Sequence, residues 1–333
     1  MFYRLATDRS RRPVDLTDLY AGPRAATCWI IGGGPSLDSL PLEAIDGSPA
    51  PKLAVNLAGV KRLRPDFWTA YDPTPRFHRA IYHDARILKL LPRGRGSDLV
   101  PETLDKVSDC PGAVFFDLQG RDYHDAIAAG QTAVLDWADS LAMAIDLAYR
   151  LGFRRLLLAG CDMRVRPSDA QVALARREGV SDDPHETLES FVARCEAAGV
   201  SRERLERCGP PAVYHFDETK PLAAAVSTDR HYFRITQALR QSRRALATAG
   251  LRVVSVTPGS RLNDYFPYVP AAEAAADLAR QWGDVQSETE RGRYHSDAPR
   301  LPEGCGPMKD IPPPRRDTAS KPAADDDPVF LRE

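Results

Sequence analysis

The sequence predicts an α/β domain built on a largely parallel sheet with helices on both faces. Three observations carry that reading. From residue 26 onward, short apolar runs alternate with segments of helical period. Leu156-Leu157-Leu158-Ala159-Gly160 is apolar throughout, the pattern of a strand buried on both faces of a parallel sheet. The apolar run Ala26 to Ile31 stops at Gly32-Gly33-Gly34-Pro35-Ser36, where a strand ends in a glycine turn with a helix start behind it.

Residues 1–24 are polar and arginine-rich and read as a loosely packed arm. The domain proper is expected over residues 25–283. Its strands are read at 26–31, 52–56, 67–71 (ending at Asp72-Pro73), 85–91 and 113–116. Val134, Trp137, Leu141, Ala144, Ile145, Ala148 and Leu151 recur at helical spacing, and Gly152 stands where a helix ends. Residues 164–226 are charged and poor in strand formers, with short helices expected at 170–178, 184–198 and 202–207. They read as a helical lid inserted over one end of the sheet. A helix at 228–248, a strand at 251–256 and a helix at 271–282 follow. Residues 284–333 turn to Pro, Asp, Ser, Arg and Lys, the composition of a disordered tail.

The chain is 43% hydrophobic, enough for a core, and its formal net charge of -1 sets up no field for nucleic acid or an anionic membrane surface. No run approaches the ~18 apolar residues of a membrane span, and the N-terminus lacks an apolar leader. A cytoplasmic location is therefore expected. The six cysteines form no CxxC pair, which argues against structural zinc.

The glycine turn suits a phosphate, because a strand–glycine–helix junction presents backbone N–H groups and a positive helix end. The dinucleotide fingerprint fails twice: Leu37 occupies its third glycine position, and Asn56 stands where the ribose-binding acid belongs. No lysine follows the glycines, which removes the P-loop. Polar residues recur at the expected carboxyl ends of strands or nearby helix starts: Asn56, Asp72, Ser140 and Asp162. Each also has a local role as turn former or helix cap. Thr228 reads as an N-cap that puts His231 in the first turn of its helix, where the helix end favours a neutral imidazole. His215 lies in the expected lid and is the weaker histidine. Arg164, Arg166, Lys220 and Arg230 are the lid cations available to phosphate.

Ile31-Gly32-Gly33-Gly34-Pro35-Ser36-Leu37, Val55-Asn56 and Pro65-Asp66 leading to Asp72 resemble the MptE-like domain of archaeal-type 6-hydroxymethylpterin diphosphokinases. That domain also occurs in bacterial flagellin-glycosylation accessory proteins. The ordered set is similar as well to small bacterial sialyltransferases with a GT-A-like Rossmann fold. Asp139-Ser140-Leu141, Gly160-Cys161-Asp162, His231 and Val256-Thr257-Pro258-Gly259-Ser260 extend the likeness over about residues 26–268.

The resemblance implies a nucleotide site at Gly32, Gly33, Gly34, Pro35 and Ser36, with Asn56, Asp72, Ser140 and Asp162 on ribose, base or phosphate. It implies His231 and Asp162 as the catalytic residues. Leu141 stands where the sialyltransferases have glycine, Asp72 near their asparagine, and Met163 and Arg164 where they have aromatics. Three functions follow as expectations: sugar transfer from a CMP-sugar-like donor with His231 as base, Mg-ATP-dependent pyrophosphoryl transfer, or nucleotide or partner binding without catalysis. Metal is expected only in the second, with Asp72 and Asp162 as hard ligands. The acceptor and the oligomeric state stay open.

Overall fold

The computed structural model describes residues 2–6, 8, 10–19, 26–56, 58, 63, 65–119, 133–209, 212–216 and 218–282. The chain opens with β1 (Phe2–Leu5), β2 (Arg11–Pro13) and α1 (Leu16–Leu19). It continues through β3 (Thr27–Ile31), α2 (Leu42–Asp46), β4 (Lys52–Val55), β5 (Phe67–Thr69), α3 (Arg79–His83), β6 (Leu88–Pro92) and β7 (Ala113–Phe116). Two short strands, β8 (Leu118–Gln119) and β9 (Val134–Leu135), precede α4 (Ser140–Arg150) and β10 (Arg155–Ala159). The next stretch holds α5 (Asp169–Arg177), α6 (Leu188–Ala197), α7 (Arg202–Arg207) and the hairpin β11 (Ala212–His215) and β12 (Glu218–Lys220). Then come α8 (Leu222–Gln241), α9 (Arg243–Thr248), β13 (Arg252–Ser255) and α10 (Ala271–Trp282).

Among the described residues the main sheet has nine strands in the order β13-β10-β3-β4-β5-β6-β7-β1-β2. The seven from β13 to β7 run parallel. The molecule is thus an α/β protein with a mostly parallel sheet. Alternation along each strand sends side chains to opposite faces. Cys28, Ile30, Leu156 and Leu158 pack with Leu141, Ala144 and Ile145 of α4 and Ile235 and Leu239 of α8. Trp29, Ile31, Leu157 and Ala159 pack instead with Ile45 of α2 and Ala274 and Leu278 of α10. Both faces are covered, which is why β3 is fully buried.

The order of connection positions the site. The chain lays β3 through β7 outward in one direction, then returns to place β10 on the other edge of β3. Beyond the carboxyl ends of β3 and β10 the connections diverge, and ligands of open α/β sheets bind at such reversals.

Four sequence expectations need correction. Residues 2–5 are no loose arm: β1 pairs antiparallel with β7, and Tyr3 is fully buried. Its apolar Phe2-Tyr3 pair caps an otherwise open sheet edge. The helix expected from 134 starts at Ser140, because Val134 and Leu135 pair with β8 and Asp139 caps α4. The fourth strand begins at Leu88 rather than 85. The helix expected from 228 begins at Leu222, immediately after Pro221; Thr228 lies inside it, and its hydroxyl donates to the Ala224 carbonyl. The tail expected at 284–333 lies outside the described residues, as does part of the arm.

The helices α5 to α7 match the three short helices expected, and they share a cluster of their own with Val165, Phe191, Leu205, Tyr214 and Leu222. The hairpin β11–β12 beside them was not expected. Its strands are short, Ala212–His215 and Glu218–Lys220, so it carries little hydrophobic period.

Candidate functional site

At the switch point the ends of β3 and β10 nearly touch. The Gly32 amide donates to the Ala159 carbonyl at 2.7 Å and the Gly34 amide to the Gly160 carbonyl at 2.8 Å. A Cβ on Gly32 would stand 2.7 Å from the Gly160 oxygen, and one on Gly34 only 1.9 Å from Asp162 Oδ2. Gly34 has φ of -66°, a conformation open to any residue, so its glycine is required by space alone. Gly34→Ala should therefore cost about 1–3 kcal/mol through overpacking, measured by urea denaturation.

These bonds change the reading of the turn. Two of its three glycine amides are taken by carbonyls at the end of β10 and just after it, and Ser36 Oγ donates to Asp162 Oδ2 at 2.7 Å. Pro35–Ser39 is a short 3-10 turn rather than an α-helix. The turn is a brace between two strand ends, not a row of bare donors.

A cavity of about 550 Å³ opens above this brace. Of the sequence candidates, Gly32, Gly33, Gly34, Asn56, Asp72, Ser140, Asp162 and His231 line it, while Pro35 and Ser36 do not. Asn56 sits in the left-handed region at φ 57°, which asparagine tolerates, and its amide donates to the Thr69 carbonyl at 3.0 Å. Ser140 Oγ donates to Asn56 Oδ1 at 3.3 Å and accepts the Tyr71 amide at 3.0 Å. Asp72 is paired with Arg76 at 2.6 Å.

The sharpest geometry is at Asp139. Its Oδ1 accepts the Ala142 amide at 2.8 Å, capping α4, while its Oδ2 lies 3.2 Å from His231 Nε2. Asp139 is buried and His231 lines the cavity. Ala138, just before, holds φ of 50°, unusual for a residue with a Cβ. That backbone is secured by the Ala138 amide donating to Asp136 Oδ1 at 2.9 Å. His231 is mid-helix in α8, so the helix-end effect expected from Thr228 does not operate. A carboxylate orients the imidazole instead.

Comparison with protein-family models, curated proteins and solved structures returned no match. The reading of this site rests on its own geometry.

The hairpin supplies the opposite wall. Its tip is pinned to the turn by the Phe216 amide, which donates to the Gly33 carbonyl at 2.9 Å. The Tyr214 hydroxyl donates to the Glu218 carboxylate, and His215 Nδ1 lies 3.3 Å from the same carboxylate. Burial, then the bond to Glu218, pushes the Tyr214 hydroxyl well above its usual range. Burial opposes ionisation of Glu218, yet hydrogen bonds from His215 and Tyr214 hold its carboxyl below the ordinary value. Lys220 Nζ sits 3.8 Å from the centre of the Tyr214 ring and donates to Thr228 Oγ1 at 3.0 Å.

Of the four cations expected to face this site, only Lys220 does. Arg230 is ion-paired with Glu189, Arg166 reaches the Gly259 carbonyl at 3.5 Å, and Arg164 lines a second hollow. Arg76 is the cation that sequence reasoning missed, though its spacing four residues after Asp72 was visible. Asp139 enters the sequence reading only within the Asp139-Ser140-Leu141 stretch, with no catalytic role of its own.

Asp72 already holds a guanidinium and Asp162 a hydroxyl, and no group of three or more His, Cys, Asp or Glu clusters for metal among the described residues. Burial pushes the Asp162 carboxyl above its usual range despite the bond from Ser36. A raised carboxyl pKa means the charged form opposes folding at neutral pH, and that cost disappears as pH falls through the folded pKa. Asp162→Asn should thus raise Tm at pH 7, with the difference from wild type shrinking in acid. Scanning calorimetry across pH checks both signs.

Proposed function

We propose that the chain is a nucleotide-dependent transferase that moves a sugar from a nucleotide-sugar donor, CMP-sugar-like, to an acceptor hydroxyl. The observation that supports this best is the Asp139–His231 pair on the same cavity as Arg76 and Lys220, at the carboxyl ends of β3 and β10. The cavity is of the size of small-ligand sites. In this reading the sheet is the GT-A-like Rossmann variant, and residues 164–226 are the lid that closes on the donor.

With Nε2–H donated to Asp139, Nδ1 of His231 carries the lone pair that accepts a proton. Nδ1 takes the acceptor's hydroxyl proton while the acceptor oxygen bonds the anomeric carbon. The bond from that carbon to the donor phosphate oxygen breaks, and the phosphate leaves with the electron pair toward Arg76 and Lys220. Asn56 and Ser140, already bonded to each other, hold the nucleoside part. Asp162 fixes the brace beneath, a positioning role rather than the catalytic one first expected.

Thermal-shift titration with CMP, UDP, GDP, ATP and their sugar conjugates, with Mg²⁺ and in EDTA, tests the proposal. Stabilisation by CMP or a CMP-sugar in EDTA supports it. Stabilisation that requires ATP with Mg²⁺ assigns pyrophosphoryl transfer instead. No shift from any nucleotide at millimolar concentration leaves a binding or interaction module.

A further inference from the structure

A second hollow, of about 320 Å³, lies inside the α5–α7 region and shares no lining residue with the first. Four arginines line it: Arg164, Arg166, Arg176 and Arg261. They are not equivalent. Arg261, 3% exposed, is matched by fully buried Asp229, whose two carboxylate oxygens its Nη2 reaches at 3.1 and 3.2 Å.

Arg164 is 8% exposed and has no such match. Its Nη1 donates to the Pro184 carbonyl, its Nε is buried without a hydrogen-bond partner, and no carboxylate among the described residues pairs with it. Desolvation, and then repulsion from Arg166 and Arg261, works against its charge and outweighs the attraction of Asp264 and Asp229, carboxylates not paired with it. A buried guanidinium without an anion is costly.

The acids at this hollow do not reach it. Glu186 is paired with Arg194, and Asp169, Asp182 and Asp183 are exposed at the mouth. The inner end is therefore cationic and the rim acidic. An extended polyanion would meet the acidic rim first, whereas a compact anion fits behind it.

We propose that this hollow binds a compact oxyanion, a phosphate or a carboxylate group, between Arg164 and Arg166. Arg166 is exposed, and the hydrogen bond it makes among the described residues is a long one, 3.5 Å to the Gly259 carbonyl, so its side chain is available to turn inward. The planar fork of two neighbouring guanidiniums suits an oxyanion in a way lysines would not.

Isothermal titration of the full chain at low salt with inorganic phosphate, and separately with acetate, tests this. One binding event per chain should be lost or weakened at least about tenfold in both Arg164→Gln and Arg166→Gln. That same event should persist in Lys220→Gln, which alters the main cavity. Preference for phosphate assigns a phosphoryl ligand, and preference for acetate a carboxylate. Because Arg166 is exposed, its variant reports even if Arg164→Gln does not fold. The proposal is overturned if neither anion binds at millimolar concentration, or if binding survives both arginine variants. It is overturned too if binding disappears only in Lys220→Gln. Of these outcomes only the last bears on the main cavity, because it would place the anion beside Lys220 there.

Discussion

His231→Ala should lower turnover by about 10²–10⁴-fold, the usual contribution of a positioned base, with donor affinity little changed. Unchanged turnover would remove His231 from the mechanism. Asp139→Asn is the sharper companion, because Asp139 does two things. Its Oδ1 caps α4 through the Ala142 amide and its Oδ2 holds His231 Nε2. Asparagine keeps an oxygen for the cap but loses the charge on the imidazole. The expected result is a large fall in kcat, of order 10²-fold or more, with Tm close to wild type. Asp139→Ala should add a stability loss of about 1 kcal/mol from the missing cap. If Asp139→Asn retains full kcat, the pair is only a structural contact.

Asp229→Ala should be the most destabilising single change, at about 3–5 kcal/mol. Asp229 is fully buried in α8 and accepts four hydrogen bonds: from the Val165 amide at 2.8 Å, the Leu188 amide at 2.9 Å, and two from Arg261. It therefore ties the segment after β10, the start of α6 and the loop after β13 to one helix. Removing it leaves a buried guanidinium uncompensated and two amides without an acceptor. The double variant Asp229→Leu with Arg261→Met should recover part of the loss, because no unpaired charge is then buried. Chemical denaturation of the three proteins gives the answer. A single-variant cost below about 1 kcal/mol would mean the pair is replaceable by water.

Much of the frame was legible locally. The seven apolar runs that became the parallel strands each carry their signal within a few residues, as do Gly152 after α4 and Gly250 after α9. In two places where local reading went astray, a neighbour distant in sequence had decided the matter. Phe2 and Tyr3 look unremarkable among arginines until β7 offers them an edge. Val134 fits a helical stripe but lies on a strand because Leu118 stands opposite it. Thr228 has the chemistry of a cap, yet the helix had already started after Pro221, whose fixed φ suits the entry to a helix.

The site divides in the same way. The sequence alone determined that three glycines, Asn56, Asp72, Ser140 and Asp162 fall at the ends of secondary-structure elements, since periodicity and turn chemistry are properties of neighbouring residues. Only the tertiary structure decided what those residues do. Gly34 is glycine because Asp162, from the loop after β10, fills the space of a Cβ. Ser36 bonds that same carboxylate and does not itself line the cavity. His231 owes its partner to the meeting of α4 and α8, across a separation of 92 residues. The reversal of strand order between β3 and β10 makes these encounters, and strand order depends on which apolar faces bury together, information spread over the whole chain.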